Sequence, residues 1–531
     1  MAPLRANALV YRRVPCYFAG PVTDSAAIGL PFIPSAGDLR PFAAEICLVA
    51  GIAGNLMTPF LVRKPNLSCA MVTLASLLIG VVFLLSGGTH PEIMGERLRG
   101  LLVFDSAAYV WKLTLLLFVA GVVVLWIGNS GRTLREGDAP EFFTLLLGAT
   151  LGMCLMASST NLLVIFMSIA MASLPSYMLA GFRKINRLGS EASLKYVLFG
   201  AVTAAVMAYG MSFLYGVYGT LQLQPLGILA GHSAVLSVAL LGILIGIGFK
   251  VSAVPLHWWV PDVFEGATIE VATFLSVASK GAGLVLMLRI LQTTGTTPAI
   301  TVTLGLLGAI TATVGNTGAF AQSSMKRLLA YSSVAQSGYM LCAVALMTAN
   351  PNAGGSAAGA VLLYLVVYAV MNLGAFAVTA SVLRQTGSDS IDGFRGLAKT
   401  SPILAGSMLC CLISLIGLPP LAGFGAKVIV LWVLAQAGSF GLFLVAVIVA
   451  NTVLSAFYYF RVVRAMYFDP GDEVRQSSDP ILGLLAGGCA AALVVCFFLF
   501  GPLYAMAARN DHLGTASPVA AATQRGANGN G

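Results

Sequence analysis

Runs of about twenty apolar residues recur along this 531-residue chain, each long enough to cross a bilayer, and they leave it few ways to fold. Only 9% of the residues are charged and 58% are hydrophobic. A soluble domain carries roughly 25% charged residues, and no soluble core could hide this much apolar surface. The runs are continuous rather than alternating, which argues against a β-barrel. The sequence therefore predicts an all-α, polytopic membrane protein. About fourteen spans are expected, near 42–62, 68–88, 106–127, 141–157, 160–181, 194–217, 233–255, 267–292, 299–321, 327–348, 357–383, 402–434, 438–464 and 481–507.

Residues 1–40 are mixed and proline-containing and read as an N-terminal extension, and 508–531 as an Ala/Gly/Asn-rich tail. The net charge of +9 does not call for nucleic acid, because the basic residues lie in short loops between spans. Arg63 and Lys64, Arg132 and Arg135, Arg183, Lys184 and Arg187, Lys326 and Arg327, Arg384, Arg395 and Lys399, and Arg461 and Arg464 fall on alternate loops. Arg97 and Arg99 are the exception. The positive-inside rule then puts the basic loops in the cytoplasm and both termini outside. The nine cysteines sit mostly within apolar runs without metal-ligand spacing and read as packing residues. No dinucleotide-binding, phosphate-loop or iron–sulfur motif occurs, so neither a cofactor nor a metal is expected in this chain.

Three lysines stand inside apolar sequence: Lys250, Lys280 and Lys427. A cation at membrane depth costs a few kcal/mol on insertion scales and is a functional candidate by default. The alternatives are snorkelling or a structural ion pair. Lys250 runs directly into Pro255, and Lys427 follows Gly417-Leu418-Pro419-Pro420, so each lysine adjoins a helix breaker. Paired interrupted spans in corresponding positions point to a transport site, and a spacing of five spans would invert the second copy. His257 could relay a proton between lysines or simply be hydrogen-bonded. Glu191 and Lys195, four apart, share a helix face and can pair. Tyr331 and Gln336 could order water. Asp262 and Glu265 lie in the Pro261–Gly266 segment and read as capping or loop contacts.

Several long motifs then fit one known pattern. FKVSAVPLHWWVPDVFEGA, SEASLKYVLFGA, MKRLLAYSSVAQSGYML and SLIGLPPLAGFGAKVIVL resemble the signatures of the antiporter-like subunits of respiratory complex I, the proton-translocating NADH–quinone oxidoreductase. With NTVLSAFYYFRVVRAMY, the set is most similar to the subunit N branch and runs from about residue 42 to 507. The resemblance implies fourteen helices with two inverted five-helix repeats, divided in this chain as 41–140 N-terminal helices, 141–292 first repeat, 299–464 second repeat and 465–507 C-terminal helix. It implies other membrane-arm subunits and the lipid bilayer as partners. It also implies an enzyme only as part of the complex, whose FMN, iron–sulfur clusters and quinone belong to other subunits. Carried over, Lys250 is the broken-helix lysine, His257 the bridging histidine, Lys280 the central lysine and Lys427 the exit-side lysine. Glu191, Lys195 and Tyr331 also match positions that the family uses.

Three positions depart from the pattern. The glutamate expected five residues before Pro175, the partner of the broken-helix lysine, is Ala170. A histidine expected after the AYSS block is Gln336, which cannot titrate. Two prolines at the start of the eighth span are absent, and Glu270 has appeared there. Glu270 or Glu191 is a candidate substitute carboxylate. Two other functions stay open: a subunit of a sodium/proton antiporter or membrane-bound hydrogenase, and a structural membrane subunit whose pumping is weakened.

Overall fold

The computed structural model describes residues 36–62, 65–87, 95–98, 100–129, 138–183, 186–223, 233–295, 298–346, 354–471 and 479–502. Most of the N-terminal extension, the C-terminal tail and the loop residues Arg63, Lys64, Arg99, Arg132, Arg135 and Lys184 lie outside this set.

Among the described residues, thirteen helices are long and apolar enough to cross a membrane. Three come first: α1 (Ala43–Leu61), α2 (Pro65–Gly87) and α3 (Ser106–Asn129). A five-member group follows: α4 (Ala139–Ser158), α5 (Leu162–Ala180), α6 (Arg187–Tyr218), α7 (Ser233–Val251) continued by the short α8 (Trp259–Gly266), and α9 (Ile269–Thr294). The second group is α10 (Pro298–Phe320), α11 (Met325–Ala345), α12 (Gly354–Thr386), the pair α13 (Pro402–Ile416) and α14 (Ala422–Ala435), and α15 (Gly438–Tyr467). The last helix is α16 (Pro480–Phe498). The apolar run 402–434, read as one span, is thus two short helices, and together they make the fourteenth crossing. The only strands described are β1 (Gly95–Arg97) and β2 (Leu102–Phe104), an antiparallel hairpin before α3.

Local chemistry sets these boundaries. Asn161, Asn186, Ser324 and Asp479 cap α5, α6, α11 and α16, each side chain accepting from a first-turn N–H. Pro140, Pro402 and Pro480 lie in the first turn of their helices, where the missing N–H costs nothing.

The fourth member of each five-helix group is the broken one. Five crossings separate the breaks, so the second group runs through the membrane opposite to the first. After Val251 the chain passes Ser252 at φ 66° and the cis Val254–Pro255 bond. The second break passes Gly417 at φ 85°, a left-handed position suited to glycine, and the cis Pro419–Pro420 bond.

Helices without a hydrophobic drive between them pack through small residues. The α10/α11 contact is the clearest case. A Cβ on Gly338 would lie 2.4 Å from the backbone N of Ala312, and one on Gly315 the same distance from that of Ala335. Backbone cannot yield as a side chain does. Gly338→Val is therefore expected to lower the thermal stability of the detergent-solubilised protein by about 1–3 kcal/mol, the range for overpacking. An unchanged melting curve would show that α11 shifts freely.

Candidate functional site

Almost every residue of α9 is buried, and it carries Lys280 at its centre. Lys280 is 0% exposed, and among the described residues its Nζ has no hydrogen-bond partner. The ammonium faces rings instead, 5.4 Å from the Trp259 centroid and 5.1 Å from that of Phe264, both on α8. Lys250, at the end of α7, is 4% exposed and lies 5.4 Å from Tyr177 and 6.0 Å from Tyr196 and Phe249. Tyr196 stacks on Trp259 at 4.3 Å and 14°. One stacked aromatic pair therefore stands between the two lysines, each cation drawn to ring electrons. Trp259 is held there by its Nε1, which donates to the Phe249 carbonyl at 3.1 Å.

Lys427 solves a different problem. The break after α13 frees carbonyls that have no helical partner. Lys427 Nζ donates to two of them, Ile416 at 2.7 Å and Leu415 at 3.1 Å, and lies 4.8 Å from the Tyr339 ring. The first break is satisfied without a cation: Val254 N donates to Thr311 Oγ1 at 3.0 Å, and Ala253 N to the Gly248 carbonyl. The cation on freed carbonyls near that break is instead Lys326, which donates to Glu265 O at 2.6 Å and Ala267 O at 3.2 Å, at the end of α8. Lys326 is thus buried and engaged, not the free loop charge of the topology argument.

Between Lys280 and Lys427 lies a network of neutral hydrogen-bonding groups. Tyr368 OH donates to the Ser276 carbonyl at 3.3 Å, one turn from Lys280. Tyr364, one turn along α12 from Tyr368, donates to Gln336 Oε1. Gln336 Nε2 donates to the Leu415 carbonyl at 3.0 Å, the same oxygen that Lys427 binds. Tyr339, Asn316, Asn451 and Tyr458 form an adjoining buried network at 2.9–3.0 Å.

A profile described as "NADH:quinone oxidoreductase/Mrp antiporter, TM" matches residues 159–455, which hold all of these groups except Tyr458. The chain belongs to this family. A relative named NADH-quinone oxidoreductase subunit N 2, from Sorangium cellulosum, is 36% identical over 90% of this chain and 98% of its own length. A chain of respiratory complex I from Thermus thermophilus superposes with a TM-score of 0.75 at 31% identity, over 88% of this chain and 99% of that one. A chain of an archaeal membrane-bound sulfane sulfur reductase reaches 0.77 at 22% identity, over 88% and 97%, a likeness of fold alone.

For this family member, the other expected relay residues fall in two places. His257 is buried in the segment linking α7 to α8, and its Nδ1 has no partner among the described residues. Glu191 and Lys195 are not with the buried lysines. Lys195 pairs with Glu191 at 2.8 Å and Asp262 at 2.7 Å, with about half of each Glu191 and Lys195 side chain exposed. Arg327 joins the cluster through Glu265 and Asp262, so these charges tie α6, α8 and α11 together at one end of the bundle. Asp262 and Glu265, expected as capping or loop contacts, instead lie within α8 and form ion pairs with α6 and α11. Tyr331 lies on the α11 turn next to Arg327, its ring against Gly318.

Neither candidate substitute carboxylate reaches Lys250. Glu191 is committed to Lys195, and Glu270 accepts from Asn129 Nδ2 at 2.7 Å. Ala170 leaves Lys250 with aromatic rings in place of a carboxylate. Gln336 keeps one function open to a histidine, donating and accepting at once, without a titratable proton. Gln336→Leu removes both bonds and leaves the buried Tyr364 hydroxyl without its acceptor, while the Leu415 oxygen keeps Lys427. It is expected to cost about 2–3 kcal/mol of stability, read by thermal unfolding, whereas Gln336→His should keep the native value. A leucine variant as stable as native would contradict the bonding described.

Sequence reading missed two further buried pairs. Lys112 and Glu45 meet at 2.5 Å, and Arg289 grips Asp105 at 2.6 and 2.8 Å while also donating to the Ala157 carbonyl. The signal was present, since Lys112 interrupts the run 106–127 as Lys250 does its own. No helix breaker drew attention to it.

Asp105 precedes α3. Burial pushes its carboxyl up, but Arg289 and the Ala108 N–H outweigh this and hold it below the usual carboxylate range. The depressed value means that its stabilisation is complete above about pH 4, the ordinary aspartate value, and is lost only as pH falls through the lower folded one. Asp105→Asn is expected to cost on the order of 3 kcal/mol at neutral pH, and the gap to native should close in acid. A gap that widens on acidification would reverse the sign.

Proposed function

We propose that the chain is a proton-translocating membrane-arm subunit of an NADH–quinone oxidoreductase-type complex, coupled to quinone reduction in other subunits. Protons pass by water-wire transfer along Lys250, His257, Lys280 and Lys427, past the Tyr196–Trp259 pair and the Tyr368–Tyr364–Gln336 hydrogen bonds. The observation that carries this reading is the set of three buried lysines with no ion-paired carboxylate among the described residues, two of them beside paired helix breaks. Burying a lone ammonium is expensive unless its charge changes during work. The cluster of Glu191, Lys195, Asp262 and Arg327, with Tyr331, marks the face from which protons approach, and His257 serves the first break. The redox groups lie in other subunits, the neighbours are other membrane-arm subunits, and the membrane is the bacterial plasma membrane with both termini outside.

The test is Lys280→Met in the whole complex, reconstituted in liposomes. Quinone reduction should continue in an assembled complex while proton uptake per electron pair falls. Native values for both would reject the relay and leave a structural subunit, the reading that Ala170 favours.

A further inference from the structure

The Glu45–Lys112 pair lies outside the matched stretch 159–455, on helices α1 and α3. Its surroundings are aromatic. Lys112 is 0% exposed and Glu45 5%. The ammonium is 4.7 Å from the Phe42 centroid and 5.1 Å from that of Phe104. Only Oε1 of Glu45 meets Lys112, and Oε2 has no partner among the described residues. A buried ion pair gains little stability over a well-packed apolar pair, because desolvation cancels the attraction. A second carboxylate oxygen left open makes the structural explanation weaker still.

The pair is also placed beside the relay. Residue 111, adjacent to Lys112, is the tryptophan whose ring fills the space over Gly281, where a Cβ would meet it at 2.1 Å. Gly281 follows Lys280. Helices α3 and α9 are antiparallel at this contact, because Asp105 at the start of α3 meets Arg289 near the end of α9. Residue 112 is level with Lys280 in this register, and its ammonium reaches back to the Phe104 ring, toward the Asp105–Arg289 end of the bundle. Several buried polar atoms on these helices and on α4 lack protein partners among the described residues: Lys280 Nζ, Ser279 Oγ, Trp111 Nε1, Glu45 Oε2 and Ser158 Oγ. Such atoms are the groups that bind bridging water in polar interiors.

We propose that Glu45, held by Lys112, is a second protonation site that branches from Lys280 toward the Asp105–Arg289 face. This proposal rests on the relay reading above. The step is a proton transfer, Lys280 ammonium plus Glu45 carboxylate giving neutral Lys280 amine and Glu45 carboxylic acid. The Lys112 ammonium stays charged throughout and repels the extra proton onward. Glu45 thus supplies, from α1, the kind of buried carboxylate that Ala170 denies the first repeat.

The experiment compares Glu45→Gln, the double variant Glu45→Gln/Lys112→Met, Glu45→Asp and Lys280→Met, each in the intact complex in liposomes. Glu45→Gln alone leaves Lys112 unpaired and is the variant most exposed to misassembly. The double variant removes both charges, so a purely structural pair should be replaced with native pumping. The branch instead predicts an assembled double variant that reduces quinone but loses proton translocation. Glu45→Asp keeps the charge and withdraws it by one methylene, so slowed translocation in an assembled complex is expected even if the double variant fails to assemble. Native translocation in the double variant, or in Glu45→Asp where the double variant does not assemble, overturns the branch. Native translocation in Lys280→Met overturns the relay reading itself, which separates the two failures.

Discussion

Replacing Lys427 by leucine is expected to abolish proton translocation and to destabilise the second helix break together. The lysine is both a buried cation and the donor to two carbonyls released where α13 ends. Leucine fills similar volume but donates nothing. The Leu415 oxygen keeps its bond from Gln336, whereas no other donor to the Ile416 oxygen is described. Leaving a buried acceptor unpaired costs about 1–3 kcal/mol, enough to loosen the break at Gly417 and to lower the yield of assembled complex. The sharper comparison is Lys427→Arg. Arginine restores the donors but does not release its proton. It is expected to return assembly and quinone reduction to native levels while proton uptake per electron pair stays low. Arginine with native pumping would show that Lys427 serves the break alone. Two measurements on one preparation, subunit content and proton uptake, separate these outcomes.

The second large effect is expected from Ala170→Glu. Ala170 and Tyr177 stand seven residues apart on α5, two turns and one face, and Tyr177 is one of the rings that Lys250 approaches. A glutamate at 170 would stand on the helix face that carries Tyr177. A carboxylate within reach favours the ammonium, so the alkaline limb of turnover should move to higher pH. If the acquired pair binds its proton too firmly, turnover at neutral pH also falls. Glu270→Gln is the companion variant. Glu270 is engaged with Asn129 rather than with Lys250, so its loss should leave the pH profile in place. A pH profile moved by Glu270→Gln and untouched by Ala170→Glu would assign the partner of Lys250 to Glu270 and overturn the separation of these two residues.

The departures from the family pattern shape both predictions. Ala170 and Gln336 are readable from the sequence as losses, because alanine and glutamine do not titrate. What stands in their place is not readable. Lys250 meets Tyr177, Tyr196 and Phe249 from three separate elements, and Gln336 links α12 to α13 through Tyr364 and Leu415. Apart from the adjacent Phe249, these contacts join residues that the chain separates by tens of positions. The i,i+4 spacing of Glu191 and Lys195 correctly announced a pair. It gave no hint that Asp262 would join them and fix them at the end of the bundle.

By itself the sequence determined that the chain crosses a membrane about fourteen times, where two crossings break, and that Lys250, Lys280 and Lys427 are buried. These follow from local physics: apolar run length, proline and glycine chemistry, and the cost of charge in hydrocarbon. The tertiary structure alone decided what each charge faces. It set rings against Lys250 and Lys280, freed carbonyls against Lys427, and a glutamate from the first helix against Lys112. A charge at membrane depth is announced by its own neighbours in sequence, but its partner comes from another helix, and only the packing of helices decides which.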